Sequence, residues 1–282
     1  RCILKAIKND IVIYSAHTNL DNAQGGVNYK IAEKIGLKDL KVLEPKENSL
    51  MKLVTFVPAA QADMVRNALF AAGCGNIGNY DSCSYNLEGE GTFRAKEGTH
   101  PFCGTIGELH REGEVRIETI LPVFKKSEVI RTLLSVHPYE EPAFDLYLLQ
   151  NDWTQAGSGI VGELEEPETE LEFLKRIKKT FEVGCLRHNK LTGREIRKVA
   201  LCGGAGAFLL SQAIRSGADV FITGEIKYHD YFGHEGDILM AEIGHYESEQ
   251  YTKEIFYSII RDLFPNFALQ LSKINTNPIK YL

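Results

Sequence analysis

His245 and Glu249 stand four residues apart in Ile243-Gly-His-Tyr-Glu-Ser-Glu249, so a helix through them carries an imidazole and a carboxylate on one face. Two such donors form a bite for a divalent metal, and the same spacing also suits a solvated pair. The combination recurs in His17-Thr-Asn-Leu-Asp21. Taken alone, His17 also fits a loop histidine bonded to backbone, and Asp21 the cap of the next helix. Thr223-Gly-Glu225 adds a carboxylate, with Lys227 and His229 just beyond it. Gly203-Gly-Ala-Gly206 follows an apolar run and precedes a helical pattern. Its backbone N–H groups could receive a phosphate, and the same glycines permit any tight strand-to-helix turn. Both readings stand.

The elements that must position these residues are strands. Asp10–Ala16, Lys198–Cys202, Ala218–Ile222 and the run from Ile238 to Ile243 are short and largely apolar. They read as strands buried on both faces, as in a parallel sheet. They empty into His17, Gly203, Thr223 and His245 respectively. Ligands of open parallel sheets bind outside the carboxyl ends of the strands. His17, Asp21, Glu225, His245 and Glu249 are therefore expected to meet in one cleft. A cation at a helix N-terminus is disfavoured by the macrodipole; the carboxylates of Asp21 and Glu249 would offset this, the second bridging two metals. Such donors suit zinc, manganese or iron rather than calcium. Residues 1–9 read as the end of a helix, and further helices are expected over Val27–Ile35, Leu171–Phe181, Ala207–Ser216 and Glu247–Phe264. Residues 36–50 read as irregular, Asn151–Gly162 as a glycine-rich linker, and Leu271–Leu282 as surface or a last strand.

Residues 50–149 have their own logic. Leu53-Val-Thr-Phe-Val-Pro58 precedes a helical pattern through Val65 and Leu69, and Ile117-Glu-Thr-Ile-Leu-Pro122 precedes one through Val129 and Leu133. Each half is strand, proline at the helix entry, then helix. Further strands are expected around Ser82–Leu87, Gly91–Arg94 and Ala143–Leu149. The sum is a ferredoxin-like α+β domain, with helices on one side of an antiparallel sheet. Its loop His137-Pro-Tyr-Glu-Glu-Pro142 reads as a turn or subunit contact that could also bind a ligand, His100-Pro101 is equally open, and Cys103 reads as a small buried residue.

With 44% hydrophobic residues, a net charge of −6 and a pI near 5.8, the chain is of ordinary globular composition and lacks the basic balance of a general nucleic-acid binder. No apolar run approaches a membrane span, and the start has no signal-peptide pattern. Six cysteines, at 2, 74, 83, 103, 185 and 202, form no CxxC pair. Free thiols and a cytoplasmic location are expected. The start, without Met and in mid-helix, suggests a preceding N-terminal segment.

His17-Thr-Asn-Leu-Asp21, Gly25-Gly-Val-Asn28, Ile222-Thr-Gly-Glu225 and Gly244-His-Tyr-Glu-Ser-Glu249 together resemble the signatures of the NIF-three-like dinuclear metal-centre family, known as GTP cyclohydrolase I type 2 homologues. The resemblance covers essentially the whole chain, with His137-Pro-Tyr-Glu-Glu-Pro-Ala-Phe-Asp145 similar to the PII-like or CutA-like insertion of longer members. It implies an α/β domain with a parallel or mixed sheet over 1–49 and 150–282, interrupted by the ferredoxin-like insertion. It also implies two divalent ions, with Asp21, His245 and Glu249 as ligands, Glu249 bridging and His17 beside the metals. The family's adjacent histidine pair is missing from these 282 residues. Either it precedes Arg1 or this copy has half a site. The implied activity is metal-dependent hydrolysis of a nucleotide-type small molecule, with Glu225 or His17 shuttling protons and phosphates along Gly203, Gly204 and Gly206 or on Lys227. A hexameric homo-oligomer is the expected assembly. The rival reading is a non-catalytic metal-binding regulator or scaffold, acting through partners of its ring.

Overall fold

A computed structural model describes residues 1–282, which divide into two compact units. One unit comprises Arg1–Lys46 with Thr154–Leu282; the other is Glu47–Trp153. In chain order the elements are α1 (Cys2–Lys8), α2 (Thr18–Asp21), α3 (Val27–Ile35), β1 (Lys38–Lys46), β2 (Leu50–Pro58), α4 (Ala62–Ala71), β3 (Ser84–Arg94), β4 (Leu109–Pro122), α5 (Lys126–Val136) and β5 (Phe144–Leu149). There follow β6 (Trp153–Thr169), α6 (Glu170–Thr180), β7 (Arg187–His188), β8 (Glu195–Cys202), α7 (Leu210–Arg215), β9 (Val220–Thr223), β10 (Leu239–Glu242), α8 (His245–Glu249) and α9 (Thr252–Leu263).

The first unit is built on a six-stranded sheet in the order β1-β6-β8-β9-β10-β7. β8, β9 and β10 are parallel, with antiparallel β6 beside β8 and antiparallel β7 beside β10. Successive strand residues face opposite sides of the sheet, and both sides are covered. Val199, Leu201, Val220, Ile222, Leu239 and Ala241 pack with Ile31, Phe173 and Ile177 of α3 and α6. Ala200, Phe221 and Met240 face the other way, onto Leu210 and Ala213 of α7. The apolar runs at 198–202, 218–222 and 238–243 are continuous for this reason. β8, β9 and β10 stop side by side, and their polar continuations emerge along one edge.

Several expectations need correction here. Asp10–Ala16 is no strand: no β-partner satisfies its backbone, and Ile11, Val12, Ile13 and Tyr14 are exposed. Apolar composition marks a candidate strand, but a strand also needs a neighbour to bond. The supposedly irregular 36–50 contains β1, and the expected linker 151–162 lies mostly in β6. Its glycines admit a neighbouring strand rather than flexibility: a Cβ on Gly157 would sit 2.2 Å from the Glu44 carbonyl oxygen. The two strands expected at 82–94 are one, β3, and the helix expected over Glu247–Phe264 breaks at Gln250–Tyr251 into α8 and α9. The helix expected over Ala207–Ser216 opens with a 3₁₀ turn, Ala207–Leu209, before α7. The tail forms no strand.

The second unit is a ferredoxin-like βαββαβ fold. Its antiparallel sheet runs β3-β4-β2-β5. The internal repeat is structural: Pro58 and Pro122 each end a strand, a 3₁₀ turn follows at Ala59–Gln61 or Val123–Lys125, and α4 or α5 begins. Val65 and Leu69 of α4, and Val129 and Leu133 of α5, pack on Leu53, Val57, Ile117 and Leu121 of the sheet.

Candidate metal centre

At the ends of β9 and β10 the chain turns sharply and delivers two of the predicted groups together. Gly244, at φ 95°, lets the chain enter α8 directly after β10, so His245 is the first residue of that helix and Glu249 the last. The His245 ring lies between two carboxylates: its Nδ1 is 2.6 Å from Glu225 Oε1, and its Nε2 is 3.5 Å from Glu249 Oε2. Asp21 closes the one-turn helix α2, which His17 caps. His17 and His245 both act on Asp21 and on Glu249 through their charge. Partial burial raises the pKa of both carboxyls; the two histidines offset this, and for Glu249 the like charge of Asp21 adds to it. Desolvated carboxylates facing imidazoles form a setting that a divalent cation would stabilise.

Asp21, His245 and Glu249 do not, however, close into a cluster with every ligand atom within 4.8 Å. In this chain only Cys103, His110 and Glu112 of the second unit do so.

Three buried side chains hold the loops that carry the predicted residues. Asn28, 2% exposed, donates to the Asp21 carbonyl oxygen at 2.9 Å and accepts from Gly203 N–H at 2.9 Å. Ser248 Oγ accepts from Gly204 N–H at 2.9 Å and donates to the His245 carbonyl oxygen at 2.8 Å. Thr223 Oγ1 accepts from Gly206 N–H at 2.9 Å and donates to the Gly204 carbonyl oxygen at 3.1 Å. The expectation that Gly203, Gly204 and Gly206 offer N–H groups to a phosphate is corrected by these bonds: all three donors are already engaged. What the loop requires of glycine is close approach. Gly204 adopts φ +63°, and a Cβ there would lie 2.4 Å from Glu249 Oε1.

Lys227 is exposed beside a cavity of about 330 Å³, lined also by Ala205, Ala207, Phe208, Glu225 and Asp230. Glu242, not singled out in the sequence, pairs with Arg187, accepts from Ile226 N–H at 3.1 Å and from Tyr231 Oη at 3.2 Å, and so holds the segment that bears Glu225. Cys202 is buried, its thiol pushed up to about 12, chiefly by burial and further by the charges of Asp21 and Glu249. Asn28, Thr223 and Ser248 each lie within a motif quoted above, yet their work is long-range bonding that spacing does not reveal.

No helix is long and apolar enough to cross a membrane. The profile of the Duf34/NIF3 (NGG1p interacting factor 3) family matches residues 1–278. A Halalkalibacterium halodurans protein named "GTP cyclohydrolase 1 type 2 homolog" is 43% identical, the match covering 100% of this chain and 77% of the relative. A Bacillus subtilis protein of the same name is 37% identical over the same shares. Among solved structures, the Bacillus cereus protein related to NIF3 superposes with a TM-score of 0.82 at 38% identity, covering 99% of this chain and 76% of that one. The motifs, the sheet and these likenesses agree: this chain belongs to the Duf34/NIF3 family.

Proposed function

We propose that the chain is a dinuclear metal-dependent hydrolase of a nucleotide-type small molecule, with Asp21, His245 and Glu249 as metal ligands and Glu249 the bridge. The observation that carries the reading is His245, set between Glu225 and Glu249 after parallel strands and, like His17, close enough to Asp21 to act on its carboxyl. The name shared by the curated relatives supports the same reaction class. Two divalent ions, of zinc, manganese or iron, would supply Lewis acidity for activating water and polarising the substrate.

The residues of the chain do the rest. Glu225, exposed and hydrogen-bonded to His245 Nδ1, orients that ring and can pass a proton to or from solvent. His17 keeps its Nδ1 against Thr18 Oγ1 at 2.8 Å, which leaves Nε2 to exchange protons. Gly204 gives the cleft a close wall beside Glu249 and His245, the loop from Gly203 to Gly206 would border the substrate there, and Lys227 is the cation available to a phosphate. A hexameric ring, as the resemblance implies, is part of the proposal.

Asp21→Asn tests it. Turnover of GTP or of a phosphoester panel by the metal-loaded protein should fall to background, and Glu249→Gln should lower metal content by elemental analysis. Full activity of Asp21→Asn in a metal-depleted sample would sink the hydrolase reading. Metal bound normally with no turnover on any substrate would favour the regulatory role.

A further inference from the structure

The proposed reaction makes no use of Cys103, His110 and Glu112, although their ligand atoms lie closer together than those of any other three His, Cys, Asp or Glu residues in the chain. Two come from β4 by alternation: His110 and Glu112, two residues apart, project from the same face. His110 Nε2 lies 2.8 Å from Glu112 Oε2. The third comes from the segment joining β3 to β4, which is pinched where Gly107 N–H donates to the Ala95 carbonyl oxygen at 2.8 Å.

The surroundings hold the imidazole. Gly104, at φ +81°, lies flat against it, and a Cβ there would be 2.8 Å from the ring Cγ. The Phe93 ring packs beside it at 5.2 Å between centroids. All three donor residues are half-buried, neither sealed from an ion nor fully solvated. Next to them, Tyr139 donates from Oη to Glu114 Oε1 at 2.8 Å. Phe93, Phe102, Glu114 and Tyr139 help to line a cavity of about 540 Å³ that adjoins the cluster.

We propose that Cys103, His110 and Glu112 form a second metal site, for a borderline-soft divalent cation of which zinc is the best match. A thiolate beside an imidazole selects zinc and disfavours magnesium and calcium, which take oxygen ligands. Bonds of about 2.3 Å to sulfur and about 2.0–2.2 Å to nitrogen and oxygen put neighbouring donors of a tetrahedral ion roughly 3.3–3.7 Å apart. The existing spacing, 2.8 Å for His110–Glu112 and at most 4.8 Å for the rest, brackets that range. Binding converts the Cys103 thiol to thiolate, and its proton leaves to solvent. Three protein donors leave a fourth position open. This site shares no residue with Asp21, His245 and Glu249, and its oxygen-rich counterpart uses no thiolate.

Cobalt(II) titration of the metal-free full chain reads it directly, since only thiolate coordination gives an intense near-ultraviolet sulfur-to-cobalt band. The band should saturate stoichiometrically, yield to zinc but not to magnesium, and persist in Glu249→Gln. It should vanish in Cys103→Ser, and His110→Ala should weaken cobalt binding by about tenfold or more. Glu112→Gln, which keeps the size of the half-buried side chain and removes its charge, should weaken it as well. No band, or a band unchanged in Cys103→Ser, overturns the proposal. So does a band lost in Cys202→Ser and retained in Cys103→Ser, which would assign the thiolate to the cysteine beside Asp21. Because Glu249→Gln removes the other centre and leaves this band, the two proposals fail separately.

Discussion

At the ends of β8, β9 and β10, polar groups are placed by bonds between residues far apart in the chain, whereas along β4 the alternation of one strand places them. Gly203 is tied to a residue 175 positions away and Gly204 to one 44 away. His110, Glu112 and Glu114 need only the pleat of their own strand, plus one loop to bring Cys103. The first arrangement depends on the whole fold being in register. The second depends on β4, its pairing with β3 and the segment that joins them. A site of the first kind should lose its geometry when any remote tie is cut, and one of the second kind only when its own donors change.

The cores beneath the two sites should behave alike, because both are close-packed. Phe173→Ala in the first unit should cost about 3–5 kcal/mol, and Leu133→Ala in the second about 2–5 kcal/mol, by denaturant unfolding. Both side chains are fully buried. A loss below about 1 kcal/mol at either would mean that the core there collapses around the gap.

The polar layers should then differ. Asn28→Ala strands the Gly203 N–H and the Asp21 carbonyl, and should cost about 1–3 kcal/mol together with metal at the first centre. Glu114→Gln on β4, which keeps an acceptor for Tyr139, should cost less than about 1 kcal/mol and leave cobalt binding at Cys103 intact. Equal losses from the two variants would erase the contrast.

The smallest effect expected is a pH dependence confined to the second unit. His137 Nε2–H donates to the Phe56 carbonyl oxygen at 3.0 Å, and its Nδ1 accepts from Tyr139 N–H at 3.1 Å, which fixes the neutral tautomer. Burial lowers its pKa from the usual 6.5, with the Phe56 bond and Glu114 opposing in part. Below that value the unfolded chain takes a proton that the folded ring resists. Stability should therefore fall as pH drops below about 6.5 and be unaffected above it. In His137→Gln this component of the acid slope should disappear; an unchanged slope would place the titration elsewhere.

Much of the frame was legible. Continuous apolar runs at 198–202, 218–222 and 238–243 announced strands buried on both faces, and the strand-proline-helix repeat announced the ferredoxin-like unit. Glu225, His245 and Glu249 follow β9 and β10, whose ends were legible, whereas His17 and Asp21 were expected to follow a strand over Asp10–Ala16 that does not form. The first half of β4 was not legible, because His110-Arg-Glu-Gly-Glu114 carries no apolar alternation and its pairing with β3 supplies the order instead. Ile11–Ala16 misled for the opposite reason: apolar composition without a β-partner.

By itself, then, the sequence determined the family and the architecture of a mixed-sheet α/β unit interrupted by a ferredoxin-like one, since these rest on local periodicity and on motif residues held within a few positions of one another. Tertiary structure alone decided that the glycine N–H groups of 203, 204 and 206 are spent on Asn28, Ser248 and Thr223, and that Cys103 meets His110 and Glu112. Hydrogen bonds and donor clusters join residues by distance in space, and no local pattern encodes which distant side chain arrives.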